Sequence, residues 1–249
     1  MGFLLDSLGE ALRLIARVDR DLLSALRVTL EVALASTAIA SLIGLPLALA
    51  LARAEFRAKR AVLRLVRTAL ALPTVVIGLF VYAFIARNAP FGQLRLLFTP
   101  PAIVIGQVFL IVPLITALAH AALEPRFHLV YEEARLLGAP PAAALRKTLR
   151  ESRFGILTAL IAGFGRVVSE VGVALILGGN IRGFTRTLWT AITLATAQGD
   201  FAQAFALGIV LLALVLVLNL FLHAGERAPQ GGRLDERAAT AERRARVAN

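Results

Sequence analysis

Long apolar runs divide this sequence, and each has a length that suits a crossing of the lipid bilayer. An α-helix needs about 20 residues to span the hydrocarbon layer, and it satisfies its backbone hydrogen bonds internally. Of the 249 residues, 58% are hydrophobic and 17% are charged, unlike a soluble domain. We therefore predict an all-α, polytopic membrane protein. Its five transmembrane helices are expected at about 22–52, 68–86, 101–123, 154–177 and 201–223.

The two ends of the chain are expected to lie outside the membrane domain, which covers residues 22–223. Residues 1–21 place apolar side chains at helical spacing with charges between them, as in an amphipathic helix of the membrane interface. They lack the uninterrupted apolar core of a signal peptide, so we expect no cleaved segment. Residues 224–249 are polar and rich in arginine, and we expect a disordered cytoplasmic tail.

The basic residues predict the orientation of the helices. Residues 53–67, 124–153 and 224–249 each contain six Lys or Arg, and loops of this kind remain in the cytoplasm. The N-terminus is thus predicted outside and the C-terminus inside. These loops also explain the net charge of +11, so no nucleic-acid partner is required.

A charged stretch between two apolar runs, residues 131–153, reads YEEARLLGAPPAAALRKTLRESR. Gly138 favours the left-handed backbone that ends a helix, and the two following prolines suit the start of a second, short helix over about 142–152. Charge alone is equally typical of an ordinary solvated loop, but the glycine spacing favours a helix-turn-helix elbow over 128–153. The apolar flanks disfavour a DNA-binding helix-turn-helix.

This elbow resembles the cytoplasmic coupling loop of ABC importer permeases, in which Glu-Ala-Ala precedes a glycine by three residues. The chain departs from that pattern at Glu133, which replaces the first alanine, and near Arg150 and Glu151, where a proline would be expected. The resemblance implies the type I ABC importer permease fold and a contact with an ATPase. The residues that it assigns to this contact are Glu132, Glu133, Ala134, Gly138 and Ala139.

The resemblance also implies a transport subunit rather than an enzyme. No glycine-rich phosphate loop is present in the sequence, so ATP and Mg would lie on a separate cytoplasmic ABC ATPase dimer and this chain would bind no cofactor. Cysteine is absent and the three histidines are far apart, so we expect no metal site. Two permease copies would form a homodimer surrounded by lipid in the bacterial inner membrane, and an external substrate-binding protein would deliver the cargo.

Two opposite charges interrupt the fourth apolar run. Arg166 and Glu170 are four residues apart, so they can pair across one helical turn and reduce the cost of charge in hydrocarbon. Ser169 lies beside them. A structural pair that fixes the helix and a polar patch that lines the pathway are equally compatible with this pattern.

A second resemblance covers residues 170–192, EVGVALILGGNIRGFTRTLWTAI, which are similar to the corresponding stretch of permeases for tungstate and, less closely, for molybdate. It implies an oxyanion as cargo. The Gly-Gly-Asn turn could direct N–H groups toward an anion, and Arg182 and Arg186 would add positive charge, although such a turn is by itself only a loop signal. The further pathway residues are therefore Gly178, Gly179, Asn180 and Arg182.

Other interpretations differ in cargo or in energy source. A permease for an amino acid, phosphate or another small solute would carry the same elbow. A secondary transporter would work without ATP and could show inverted repeats, but the sequence has no clear internal repeat. An intramembrane enzyme would need a second carboxylate near Glu170, and none lies near it in sequence.

For the threonines at 187, 190, 193 and 196 we favour hydrogen bonds to the backbone over contact with cargo.

Overall fold

The structure, a computed structural model, describes residues 2–16, 19–54 and 56–226. Within these ranges every regular element is helical, which confirms the all-α class. A short 3₁₀-helix (Gly92–Leu94) and a π-helical turn (Phe127–Tyr131) accompany the α-helices. The α-helices are α1 (Gly2–Ala16), α2 (Arg20–Arg53), α3 (Lys59–Ala69), α4 (Thr74–Ile85), α5 (Pro100–Arg126), α6 (Glu132–Leu136), α7 (Pro141–Val168), α8 (Gly172–Gly178), α9 (Leu188–Ala197) and α10 (Phe201–Glu226).

Two uninterrupted helical segments are long and apolar enough to cross a membrane: α2 and the stretch Pro100–Leu136, which joins α5, the π turn and α6. Two bent pairs add up to two more spans. The axes of α3 and α4 differ by 100°, and those of α7 and α8 by 58°. Two to four spans are thus supported by length and composition. The count of five and the orientation of the termini stay predictions, and the tail from residue 227 onward lies outside the described residues.

The basic segment 53–67, predicted as a loop, is largely helical. It contains most of α3, and the chain turns sharply between Leu70 and Pro73 before α4 begins. Pro73 has an extended backbone and precedes the first residue of α4, a position where the missing N–H of proline costs little. The second predicted span therefore begins with a bend instead of a straight helix.

Helix α7 corrects the expected short helix over 142–152. It begins with Pro141 as its first residue and continues without a break to Val168. The second arm of the elbow and the beginning of the fourth apolar run are consequently one helix of 28 residues. The change from charged to apolar side chains near residue 154 alters what the helix contacts, but both kinds of residue are compatible with a helical backbone.

Helix α5 lies at the centre of the fold and packs against α2, α3, α4, α7 and α8. Its side chains Ile103, Ile111 and Ile115 are fully buried. A buried amide, Gln107, links three helices: its Oε1 accepts a hydrogen bond from Ser36 of α2 (2.8 Å), and its Nε2 donates to the carbonyl of Val167 in α7 (3.5 Å). Burying these polar groups fixes the three helices in one register, since an unpaired amide would be costly here.

Candidate functional site

The predicted elbow is a helix-turn-helix whose turn is closed by backbone hydrogen bonds. Helix α6 ends at Leu136, and Gly138 adopts the left-handed conformation with φ of 85°. The N–H of Ala139 donates to the carbonyl of Ala134 (2.9 Å), and the N–H of Gly138 donates to that of Arg135 (3.1 Å). This pair of bonds is the Schellman motif, which favours glycine at the left-handed position. The spacing between Ala134 and Gly138 thus has a direct structural cause.

The side chains exposed on the elbow are only partly those that the sequence predicted to contact an ATPase. Glu132 and Glu133 are exposed as expected, and Glu132 pairs with His128 at 3.3 Å. Ala134 is buried, however, and Leu136 and Leu137 are each 87% exposed. Large apolar side chains exposed at a turn are typical of protein contacts. Two leucines directly before a helix-ending glycine were the signal that the sequence analysis did not use.

Arg166 and Glu170 form the predicted pair, with 2.8 Å between Nη1 of the arginine and Oε2 of the glutamate. The other carboxylate oxygen of Glu170 accepts a hydrogen bond from the N–H of Val173 (3.1 Å) in the first turn of α8. The Glu170 side chain is only 2% exposed, whereas that of Arg166 is 38% exposed. Ser169 is exposed and bonds back to the carbonyl of Gly165 (2.9 Å). Glu170 therefore connects α7 to α8 across their bend.

The Gly178–Asn180 turn is closed on itself. The N–H of Gly179 donates to the carbonyl of Leu175 (3.0 Å), and the N–H of Ile181 donates to the Thr185 hydroxyl (2.9 Å). Of the N–H groups expected to face an anion, that of Gly179 is therefore already bonded within the chain, and so is the neighbouring N–H of Ile181. Gly179 has a positive φ of 67°, and a Cβ there would lie 2.7 Å from the ring of Phe98. Packing and backbone geometry explain this glycine.

The two arginines expected to supply positive charge beside this turn have partners within the chain. Arg182 forms an ion pair with Asp21 at the start of α2, with 2.7 Å between its Nε and Oδ1 of the aspartate. That hydrogen bond raises the pKa of Arg182 above its usual value, so Arg182 stays charged while Asp21 offsets it. Arg186 donates to the Asn180 side-chain oxygen (3.2 Å). Both arginines therefore stabilise the segment between α8 and α9.

The threonines that follow bond to the backbone, as the sequence analysis favoured. Thr187 and Thr190 form a reciprocal capping box at the start of α9, which satisfies N–H groups that the first helical turn leaves unpaired. Thr193 and Thr196 donate to carbonyls one turn earlier, at 3.0 and 2.8 Å. The side-chain hydroxyls of this stripe thus have structural partners.

A partly buried polar cluster joins α3 to the end of α5 on the predicted cytoplasmic side. The Lys59 ammonium lies 3.4 Å from the Glu124 carboxylate, and Nε2 of His120 lies 3.7 Å from the same carboxylate. His120 and Lys59 are buried, so the cluster fixes the position of α3 against α5. Across the described part of the chain, no group of three His, Cys, Asp or Glu side chains is arranged to hold a metal ion.

Comparison with known proteins gives a consistent set of matches. Residues 40–228, more than half of the chain, match the family described as binding-protein-dependent transport system inner membrane component. A tungstate uptake system permease protein TupB of Campylobacter jejuni is 36% identical over 227 residues, which cover 91% of this chain and 95% of that protein. A probable anion ABC transporter permease protein of Haloferax volcanii is 38% identical over 203 residues, with coverages of 80% and 88%.

Two further similarities concern a molybdenum permease and a solved structure. A molybdenum transport system permease protein ModB of Azotobacter vinelandii is 33% identical over 209 residues, which cover 80% of this chain and 92% of that protein. A crystal structure of an amino acid ABC transporter with histidines superposes with a TM-score of 0.63 at 17% identity, over 86% of this chain and 97% of that chain. At that identity the likeness shows a shared fold and carries no information on cargo.

Proposed function

The chain belongs to the family of binding-protein-dependent transport system inner membrane components, and from this premise we propose that it forms the pathway of a type I ABC importer for a tetrahedral oxyanion, tungstate or molybdate. The main support for an oxyanion as cargo is the 36% identity to a tungstate permease over 91% of this chain. Similarity to a molybdenum permease and to a probable anion permease points to the same chemistry.

In this proposal the elbow is the contact through which conformational changes of an ATPase reach the permease. The exposed glutamates Glu132 and Glu133 and the leucines Leu136 and Leu137 present charged and apolar groups on one compact turn. Helix α7 begins three residues after Gly138 and has 28 residues, so it is about 40 Å long at 1.5 Å per residue. A rigid helix of that length transmits a displacement of the elbow to the bend at Glu170.

The bend between α7 and α8 is the candidate gate. Glu170 holds the two helices through Arg166 and the N–H of Val173, and the segment with Gly178, Gly179, Asn180 and Arg182 follows at the other end of α8. A change in the 58° angle between α7 and α8 would move that segment relative to α5. The pathway function proposed for these residues is therefore mechanical rather than a direct contact with cargo.

The partners follow from the family. Two copies of this chain form a homodimer around one pathway, an ATPase dimer with ATP and Mg contacts both elbows, and an external substrate-binding protein delivers the oxyanion. The permease lies in the lipid of the bacterial inner membrane with five spans, its N-terminus outside and its C-terminus inside. High affinity for cargo resides in the binding protein, since the arginines of the α8–α9 segment already have partners within the chain.

The test is uptake by the reconstituted complex. Permease, ATPase and binding protein are assembled in proteoliposomes, and accumulation of tungstate and molybdate is measured by elemental mass spectrometry with and without ATP. ATP-dependent accumulation of either oxyanion, with little accumulation of histidine, is the expected result. If histidine accumulates and neither oxyanion does, the cargo assignment is wrong although the family assignment stands.

A further inference from the structure

The loop between α4 and α5 forms one wall of a cavity of about 610 Å³ on the predicted outer side of the membrane. The cavity contains two arginines and an amide on a partly apolar surface. Its lining residues are Ile85, Arg87, Gly92, Gln93, Arg95, Leu97 and Phe98. We propose that Arg87, Gln93 and Arg95 bind a tetrahedral oxyanion on the permease itself, which deepens the proposed function and rests on it.

The charge of this cavity is unbalanced. Neither the guanidinium of Arg87 nor that of Arg95 has a hydrogen-bond or ion-pair partner among the described residues, whereas Arg166, Arg182 and Arg186 each have one. No Asp or Glu occurs in the sequence between Glu55 and Glu124. Two positive groups at one cavity raise its potential and attract a dianion.

The chemistry of the lining fits an oxyanion. Guanidinium groups bind the oxygens of tetrahedral anions through paired, charge-assisted hydrogen bonds, and the amide of Gln93 adds a neutral donor. Apolar side chains such as Ile85, Leu97 and Phe98 form the rest of the wall. The side chains of Arg87, Gln93 and Arg95 are all exposed, so an anion can reach the three donors from solvent.

The loop is held in place before any ligand arrives. The N–H of Phe98 donates to the carbonyl of Leu177 at the end of α8 (2.8 Å), and the N–H of Phe91 donates to the carbonyl of Phe84 in α4 (3.0 Å). The Phe98 ring also packs on Gly179. The cavity therefore lies against the segment that follows the candidate gate.

A free oxyanion and the phosphate of a phospholipid share this chemistry. An adjoining apolar groove of about 370 Å³ shares Ile85 with the cavity and is lined by aromatic side chains that include Phe80, Phe84 and Phe109. An acyl chain in that groove would place a lipid phosphate near the arginines. The experiment therefore has one arm for each source.

The probe for the free anion is tungstate, added to the permease–ATPase complex without binding protein in micelles of a phosphate-free detergent and measured by equilibrium dialysis. The variant Arg87→Gln/Arg95→Gln removes both unpaired charges. The control Arg13→Gln/Arg20→Gln removes two exposed arginines of the same predicted side, outside the cavity. We expect at least about tenfold weaker binding in the first variant and no change in the control, since charge-assisted hydrogen bonds are lost only in the first.

The lipid arm uses nanodiscs that contain phosphatidylglycerol, with retained lipid measured by native mass spectrometry. One outcome is that Arg87→Gln/Arg95→Gln loses bound phosphatidylglycerol, the control variant keeps it, and the wild type binds no tungstate. That outcome supports the site and assigns it to lipid phosphate. Binding of either probe that is equal in wild type and variant, or no binding of either, overturns the proposal. The single variants Arg87→Gln and Arg95→Gln replace the double variant if it fails to assemble.

Uptake separates this proposal from the proposed function. A wild-type complex that accumulates tungstate with the binding protein, together with an Arg87→Gln/Arg95→Gln complex that binds and transports equally well, leaves the importer assignment intact and rejects the site. A wild-type complex that transports no oxyanion rejects the cargo assignment, whatever the cavity binds.

Discussion

Removing Arg166 should destabilise the permease more than removing Glu170, although the two residues form one ion pair. The Glu170 carboxylate is 2% exposed, so Arg166→Gln leaves a buried charge with only the N–H of Val173 as a partner. Breaking a buried pair in this way costs about 3–5 kcal/mol. The effect should appear as a lower midpoint of unfolding in mixed micelles of detergent and sodium dodecyl sulfate.

The change Glu170→Gln should be milder for two structural reasons. The glutamine oxygen can still accept the hydrogen bond from the N–H of Val173, and the Arg166 side chain is less enclosed than that of Glu170, with 38% against 2% exposed. We expect a cost of about 1.5–3 kcal/mol, the range for one lost hydrogen bond to a charged group. The double variant Arg166→Gln/Glu170→Gln should therefore be more stable than Arg166→Gln alone.

A second pair of the same spacing is the matched control. Arg27 and Glu31 in α2 are also four residues apart, with 2.6 Å between Nε and Oε1, but both side chains are exposed. Arg27→Gln should lower the unfolding midpoint less than Arg166→Gln, because Glu31 is exposed and lies near the start of α2, where a long charged side chain can extend toward the membrane surface. Equal midpoints for Arg166→Gln and Glu170→Gln, or strictly additive effects in the double variant, would refute the assignment of Glu170 as a buried connection between helices.

Two further predictions concern the elbow and the topology. Gly138→Val places a β-branched residue at a φ of 85°, which strains the turn and should lower the amount of oxyanion transported per ATP hydrolysed. The control Gly208→Ala, in open space within α10, should leave this ratio unchanged. An assembled Gly138→Val complex with unchanged coupling would contradict the coupling assignment. The chain has no cysteine, so single cysteines can be introduced at the exposed positions Lys147 and Asn88 and labelled with a membrane-impermeant maleimide. Lys147→Cys should react only from the cytoplasmic side, and Asn88→Cys only from the external side. Reaction of Lys147→Cys from outside would overturn the predicted orientation.

Local rules explain what the sequence predicted well. A helix-ending turn at Gly138 follows from the tolerance of glycine for positive φ. The Arg166–Glu170 contact follows from a separation of four positions, although Glu170 lies two residues beyond the end of α7 and pairs with its last turn. Both features depend on residues close in sequence. The same holds for Thr187 and Thr190, whose hydroxyls bond within their own helical turn.

Long-range contacts account for what could not be predicted. Arg182 was expected to attract an anion, but it pairs with Asp21, 161 positions away, and sequence spacing carries no information about that contact. Lys59 belongs to the basic segment that was predicted to be a cytoplasmic loop, but it is buried beside Glu124. The charge of a side chain is visible in the sequence, whereas the partner that neutralises it depends on how the helices pack.

The partners of the arginines limit what this permease can do with an anion. At the bend, Arg166 is occupied by Glu170, and beyond α8 the charge of Arg182 is offset by Asp21. An anion that passed these positions would have to compete with a carboxylate that is covalently part of the chain, and such competition disfavours a deep, tight site. Arg87 and Arg95, which have no ion-pair partner among the described residues, lie instead at an open cavity, where the proposed anion site would allow both arrival and departure. The proposed arrangement suits an importer that obtains its selectivity from a separate binding protein, because tight binding inside the pathway would slow the release of cargo.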